Sequence, residues 1–172
     1  MKLFQSYRIA PWEPEIIGVD TLEEVVHLLH SENEEDYEVL ENTEQAIQLG
    51  IEELEDAEID LESSEALMVT REALRAVYSH VYSGINQFRG VPVINNYHIA
   101  PDPRILPELL VKFETESRIA NVVDLEDWYW DFITLNPFVA NNNVIGGIIL
   151  SAVSCFLQGN YLVEVTEGVH YD

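Results

Sequence analysis

The sequence predicts a mainly α-helical fold with one small β-hairpin and an acidic N-terminal lobe. Three observations point there. Apolar residues recur at helical spacing in six stretches separated by capping and turn residues. One short alternating stretch, F-R-G-V-P-V-I-N-N-Y-H-I, surrounds an Asn-Asn turn. The carboxylates are crowded toward the first third of the chain.

Residues 1–19 are proline-rich and read as extended, with a short strand in Lys2–Ile9. Thr21-Leu-Glu-Glu24 is a capping box that opens a short helix carrying Val25, Val26, Leu28 and Leu29. Residues 31–41 are too acidic to assign. Asn42 or Thr43 can cap the next helix, with Ile47, Ile51 and Leu54 inward. Ser63 or Ser64 then starts a longer helix over about 64–83, with Leu67, Leu74, Tyr78 and Val81 as its stripe. The hairpin follows, then an amphipathic helix over Ile105–Glu116 with Pro107 in its first turn. Asp124 opens a helix with Leu125, Trp128, Tyr129 and Phe132 on one face, Trp130 pointing elsewhere. An apolar helix spans Val144–Leu157, too short to cross a bilayer comfortably. Tyr161–Val165 alternates like a last strand. The division expected is an acidic lobe over 1–64, packed on or continuous with a helical domain over 65–172.

A chain of 172 residues with 47% hydrophobic content is long enough to bury a core. Its formal charge is −24. No Lys or Arg lies between Ile9 and Thr70, whereas Asp20–Glu65 holds eighteen carboxylates. Such a surface repels phosphate backbones and anionic membranes and attracts basic proteins. The candidate partner-binding face comprises Glu34, Glu35, Asp36, Glu38, Glu41, Glu52, Glu53, Glu55, Asp56, Glu58, Asp60 and Glu62. The plainer reading of the same residues is a solvated, solubilising face. Cys155 is the only cysteine and sits among apolar residues, so it reads as a packed thiol. The N-terminus lacks the apolar stretch of a signal peptide, and a reducing cytoplasm is the expected compartment. His27 and His30 stand at i, i+3 with Glu23 or Glu24 one turn away, but the sequence does not announce the third and fourth ligands that a zinc site needs, so no metal is expected.

Residues 135–147 read L-N-P-F-V-A-N-N-N-V-I-G-G, between the aromatic helix and the apolar one. Upstream lie Y-W-D-F-I-T-L-N-P-F and the hairpin with its Pro-rich exit, A-P-D-P-R-I-L-P-E-L-L. In order, these segments resemble the Fic (filamentation induced by cAMP) family over about residues 65–160. Active members of that family carry H-P-F-x-D/E-G-N-G/K-R-x-x-R between two helices, and most transfer AMP from ATP to a target hydroxyl. Pro137, Phe138 and Asn142 match that motif. The resemblance implies a Fic-like helical bundle whose hairpin is the flap that holds the target.

The other motif positions depart from the pattern together. Asn136 stands where the family has its histidine base, and an amide has no useful pKa. Ala140 replaces the magnesium-holding carboxylate. Asn141 and Asn143 replace the two glycines of the anion hole, and Val144 and Gly147 replace the phosphate-neutralising arginines. Loss of a positioned base alone costs ~10²–10⁴ in rate, and electrostatic stabilisation is usually the larger contribution. Of the five histidines only His98, in the flap, lies near by analogy. The expectation is a pseudoenzyme without cofactor that binds a basic protein surface. A sharper form is a nucleic-acid mimic that inhibits a DNA- or RNA-binding protein, as phage-type anti-defence proteins or antitoxin-like regulators do. Two alternatives stand beside it: a residual nucleotide-binding or group-transferring Fic enzyme, and an acidic assembly subunit. The Asn run also fits an ordinary loop with a helix N-cap.

Overall fold

The computed structural model describes residues 3–4, 7–8, 14–30, 36–57, 66–84, 87–94 and 98–166. These residues form six helices and two small antiparallel sheets, so the fold is mainly α. The order is β1 (Tyr7–Arg8), β2 (Pro14–Val19), α1 (Leu22–Leu29), α2 (Tyr37–Asp56), α3 (Arg71–Tyr82), β3 (His98–Ile99), α4 (Leu106–Glu116), α5 (Val122–Leu135), α6 (Asn142–Gln158) and β4 (Tyr161–Thr166). β1 pairs with β3, and β2 pairs with β4 in a register running from Pro14 opposite Thr166 to Val19 opposite Tyr161.

α6 is the axis of the fold. Its residues from Val144 to Ser154 are all buried, as a helix that is apolar on every side must be. On one side α5 packs with Leu125, Trp128, Tyr129, Phe132 and Leu135 against Ile145, Ile149 and Leu150. On another, Val19, Val25, Leu29, Ala46 and Ile47 close over Val144, Ile148 and Ala152. The first third of the chain thus shares its core with α6 and β4. Two hydroxyls inside α6 find acceptors on the following hairpin turn and strand: Ser151 donates to the Leu162 carbonyl and Ser154 to that of Asn160, both at 2.8 Å. Gly159, at φ +82°, ends the helix in the left-handed region and lets β4 fold straight back.

Gly146 and Gly147 permit the close packing on α6. A Cβ on Gly146 would sit 2.6 Å from the Phe132 ring, and one on Gly147 would overlap the Leu29 side chain. An aromatic series continues the core: Phe113 lies 5.4 Å from Trp128, which stacks on Phe132 at 5.4 Å, and Phe138 stacks on Tyr78 at 4.7 Å.

Several boundaries differ from the sequence expectation. Thr21 caps α1 as read, its Oγ1 accepting from the Glu24 N–H at 3.2 Å, while the Glu24 carboxylate accepts from the Thr21 hydroxyl at 3.1 Å. α2, however, begins at Tyr37, and Asn42 and Thr43 lie inside it. Neither caps: Thr43 Oγ1 donates to the Val39 carbonyl, and Asn42 Nδ2 reaches the Val81 carbonyl on α3. α3 begins at Arg71 behind the cap Thr70, not near residue 64. Leu67 is withheld from it by a reciprocal backbone pair with Ile119, at 2.8 and 3.0 Å. Ser63 and Ser64 lie outside the described residues. α5 starts at Val122, capped by Asn121, whose Oδ1 accepts from the Asp124 N–H. Of the expected hairpin, the described residues show one bridge between Ile94 and Ile99, and its second arm, β3, also takes β1 as a partner.

Candidate functional site: the Asn loop and its anchors

The loop between α5 and α6 is set by two left-handed asparagines. Asn136 (φ 42°) ends α5, its N–H donating to the Phe132 carbonyl at 3.0 Å. Asn141 (φ 64°) stands before α6, and its carbonyl accepts from Ile145. Asparagine enters this region more readily than other L-residues, which explains the residue type at both bends. Between them Pro137 and Phe138 are buried, while Val139 and Ala140 are exposed.

Asn142 clamps the loop from within. Its Oδ1 accepts from the Phe138 N–H at 2.8 Å and its Nδ2 donates to the Phe138 carbonyl at 2.9 Å, so the side chain mimics a paired backbone. Phe138 is thereby held between Tyr78 and Phe88. Of the neighbours, Asn143 points to solvent. Val144 and Gly147 do not border an open site at all. Val144 is fully buried in the core shared with α1 and α2, and Gly147 touches Leu29. Both positions face an apolar layer.

Arg89 is the residue the sequence did not announce. It is buried, and its guanidinium spreads over four backbone carbonyls: Asn136 at 2.6 Å, Pro101 at 2.7 Å, Val91 at 3.0 Å and Leu135 at 3.0 Å. The Arg89 N–H adds a bond to the Pro137 carbonyl at 2.8 Å. Burial lowers its pKa from the ordinary value, and the Asp102 carboxylate opposes that effect. A guanidinium stays charged through such a shift. The only hint in the sequence is a lone arginine leading into an apolar hairpin. Asp131 is equally silent there: it is buried in α5, and its carboxylate accepts the Leu3 and Phe4 N–H groups at 3.0–3.2 Å, holding the N-terminal segment.

His98 is buried rather than open to a substrate. Burial lowers its pKa, and the nearby Thr134 and Ile133 carbonyls partly restore it. His27 is exposed, whereas His30 is buried with Nε2 2.9 Å from Thr43 Oγ1, so the two do not converge. Among the described residues no group of three or more His, Cys, Asp or Glu side chains could hold a metal ion. No helix among them is long and apolar enough to cross a membrane.

The acidic positions separate into two sets. Asp36, Glu38, Glu41, Glu52, Glu53, Glu55 and Asp56 are all exposed, on or beside α2, whereas Glu34, Glu35, Glu58, Asp60 and Glu62 lie outside the described residues. Helical spacing puts Glu38, Glu41, Glu52, Glu55 and Asp56 opposite the face that buries Thr43, Ala46, Ile47 and Leu54. Gln45, Gln48 and Leu49 interrupt them, leaving one cluster near each end of the helix. Glu53 sits to the side, at the edge of an apolar cavity between α2, α3 and α6.

No protein-family model matches this chain, and no curated protein matches it in sequence.

Proposed function

We propose that this is a non-catalytic protein of Fic-like ancestry that acts by binding a basic protein surface through α2. The observation that carries the reading is the charge of that helix. Its exposed face bears carboxylates and no Lys or Arg, and its last turn holds Glu53, Glu55 and Asp56 with no basic residue. Carboxylates at a helix C-terminus oppose the helix dipole, and like charges at i, i+3 or i+4 repel. Both effects weaken the free helix, and both are relieved when a cationic surface covers it. The Fic-like ancestry rests on the order of flap, helix, aromatic helix, Asn loop and apolar helix. Absence of catalysis is supported by Asn136, Ala140, Val144 and Gly147, which supply neither base, metal ligand nor cation.

The finer reading is a nucleic-acid mimic that occupies a DNA- or RNA-binding protein. The test is a pull-down from cell lysate at low and high salt, beside a variant with Glu52, Glu55 and Asp56 changed to Lys. Retention at low salt of basic proteins that double-stranded DNA or RNA elutes, and that the variant loses, is the expected result. Retention of nothing basic, or equal retention by the variant, would overturn the reading.

A further inference from the structure

Anions should find little purchase on a protein of charge −24, yet three of its eight cationic side chains line one cleft. The cleft measures about 600 Å³ and lies between the first turns of α3 (Thr70, Arg71, Glu72, Arg75), the Phe88–Arg89 segment and α4 (Leu106, Pro107, Leu110, Glu114). That volume falls within the range of small-molecule sites. Its walls are mixed. Arg75 places its guanidinium carbon 5.5 Å from the Phe88 ring centroid, and half-buried Phe88 with exposed Pro107 forms an apolar floor, backed by the fully buried Leu106 and Leu110. Arg89 is engaged with backbone carbonyls and contributes charge from behind.

The cleft already binds one anion, and it belongs to the protein. Glu114 accepts from the Arg71 backbone N–H at 2.6 Å and from Arg71 Nε and Nη2 at 3.3 Å each. Its carboxylate therefore sits at the start of α3, where the helix dipole favours negative charge. Arg71 nonetheless keeps 40% of its side chain exposed toward solvent.

We propose that this cleft is a binding site for a small organic anion, a carboxylate or phosphate head on a flat apolar body. The head is taken by Arg75 and Arg71, and the body lies along Phe88 and Pro107. Glu114 is the built-in competitor for Arg71, and Glu72 on the rim adds to the discrimination against weakly held anions. The site is independent of the acidic face of α2, which lines none of it, so either reading can fail alone.

Titration with benzoate, phenyl phosphate, inorganic phosphate and benzamidine, followed by amide chemical shifts, tests it. Benzoate or phenyl phosphate is expected to bind saturably, with the stronger of the two naming the head group. Inorganic phosphate should bind more weakly, because it leaves the apolar floor uncovered. Benzamidine, with the same ring and opposite charge, should not bind. Arg75→Gln should weaken binding about tenfold or more through loss of a charge-assisted contact. Glu114→Gln keeps an acceptor for the Arg71 N–H but removes the competing charge, and should tighten binding severalfold. The proposal is overturned if neither aromatic anion binds at millimolar concentration, if benzamidine binds equally, or if both variants leave the affinity unchanged.

Discussion

Arg89 donates through Nε to the carbonyl of Asn136 at 2.6 Å, tying the segment after α3 to the loop between α5 and α6. A helix C-terminus leaves four carbonyls without an intrahelical donor. At the end of α5 residues between α3 and α4 provide donors for them. Arg89 serves Leu135 and Asn136, and the His98 imidazole lies beside Ile133 and Thr134. The left-handed turn at Asn136 is therefore held from outside the helix as much as by its own backbone. Whatever the Asn loop does, its shape depends on Arg89 and His98.

Arg89→Lys should destabilise the fold even though it keeps the charge. An ammonium has three donors on one nitrogen and cannot reach four carbonyls spread over separate segments. At least one buried carbonyl loses its partner. A loss of about 3 kcal/mol in the free energy of urea unfolding is expected. A variant as stable as the parent would show that the carbonyl fan contributes little.

Gly147→Ala tests the close approach of α1 to α6. In an exposed helix interior this change stabilises by about 1 kcal/mol. Here the new methyl group overlaps Leu29, and overpacking costs about 1–3 kcal/mol. The two combine to a lower thermal midpoint. A rise in midpoint would mean that Leu29 yields freely. Arginine at 147, as in the Fic motif, should be worse than alanine, because the position faces an apolar layer.

His98 makes stability depend on pH in a defined direction. Its pKa in the folded protein is lowered by burial, so between that value and the ordinary 6.5 the unfolded chain binds more protons. The contribution is complete above about pH 6.5 and is lost as pH falls toward the depressed folded value. Comparison with His98→Gln isolates it from the many carboxylates. The parent should lose more stability than the variant between pH 7.5 and 5.5 in parallel thermal melts. Identical pH profiles would contradict the burial of a neutral imidazole.

The helices of the second half were legible because each carries a local signal. Trp128 and Phe132 share a face at helical spacing, Pro107 marks the first turn of α4, and the apolar run of α6 could only be buried. Boundaries failed where a distant partner decides them. Leu67 has helical spacing to Leu74, but its backbone is taken by Ile119, about fifty residues on. The first turns of α2 were hidden because Tyr37 and Glu38 are exposed and no apolar face emerges before Val39. At the loop, the identities of Asn136 and Asn141 agree with their left-handed backbone, and that much was readable. Arg89 was not, because its acceptors come from residues 91, 101, 135 and 136, which only the fold brings together.

Asn142 invites a direct comparison of structural and ligand roles, since it is one of the three residues that match the Fic motif. In the fold both ends of its amide are engaged by Phe138. Asn142→Asp preserves the acceptor for the Phe138 N–H but sets a carboxylate oxygen against the Phe138 carbonyl in a buried site. A loss of about 1–3 kcal/mol is expected at pH 7, with partial recovery in acid as the new carboxyl protonates and regains a donor. Calorimetry with ATP and magnesium should give no heat of binding for either parent or variant. A variant of unchanged stability, whose parent binds ATP and which itself does not, would instead assign Asn142 to a nucleotide.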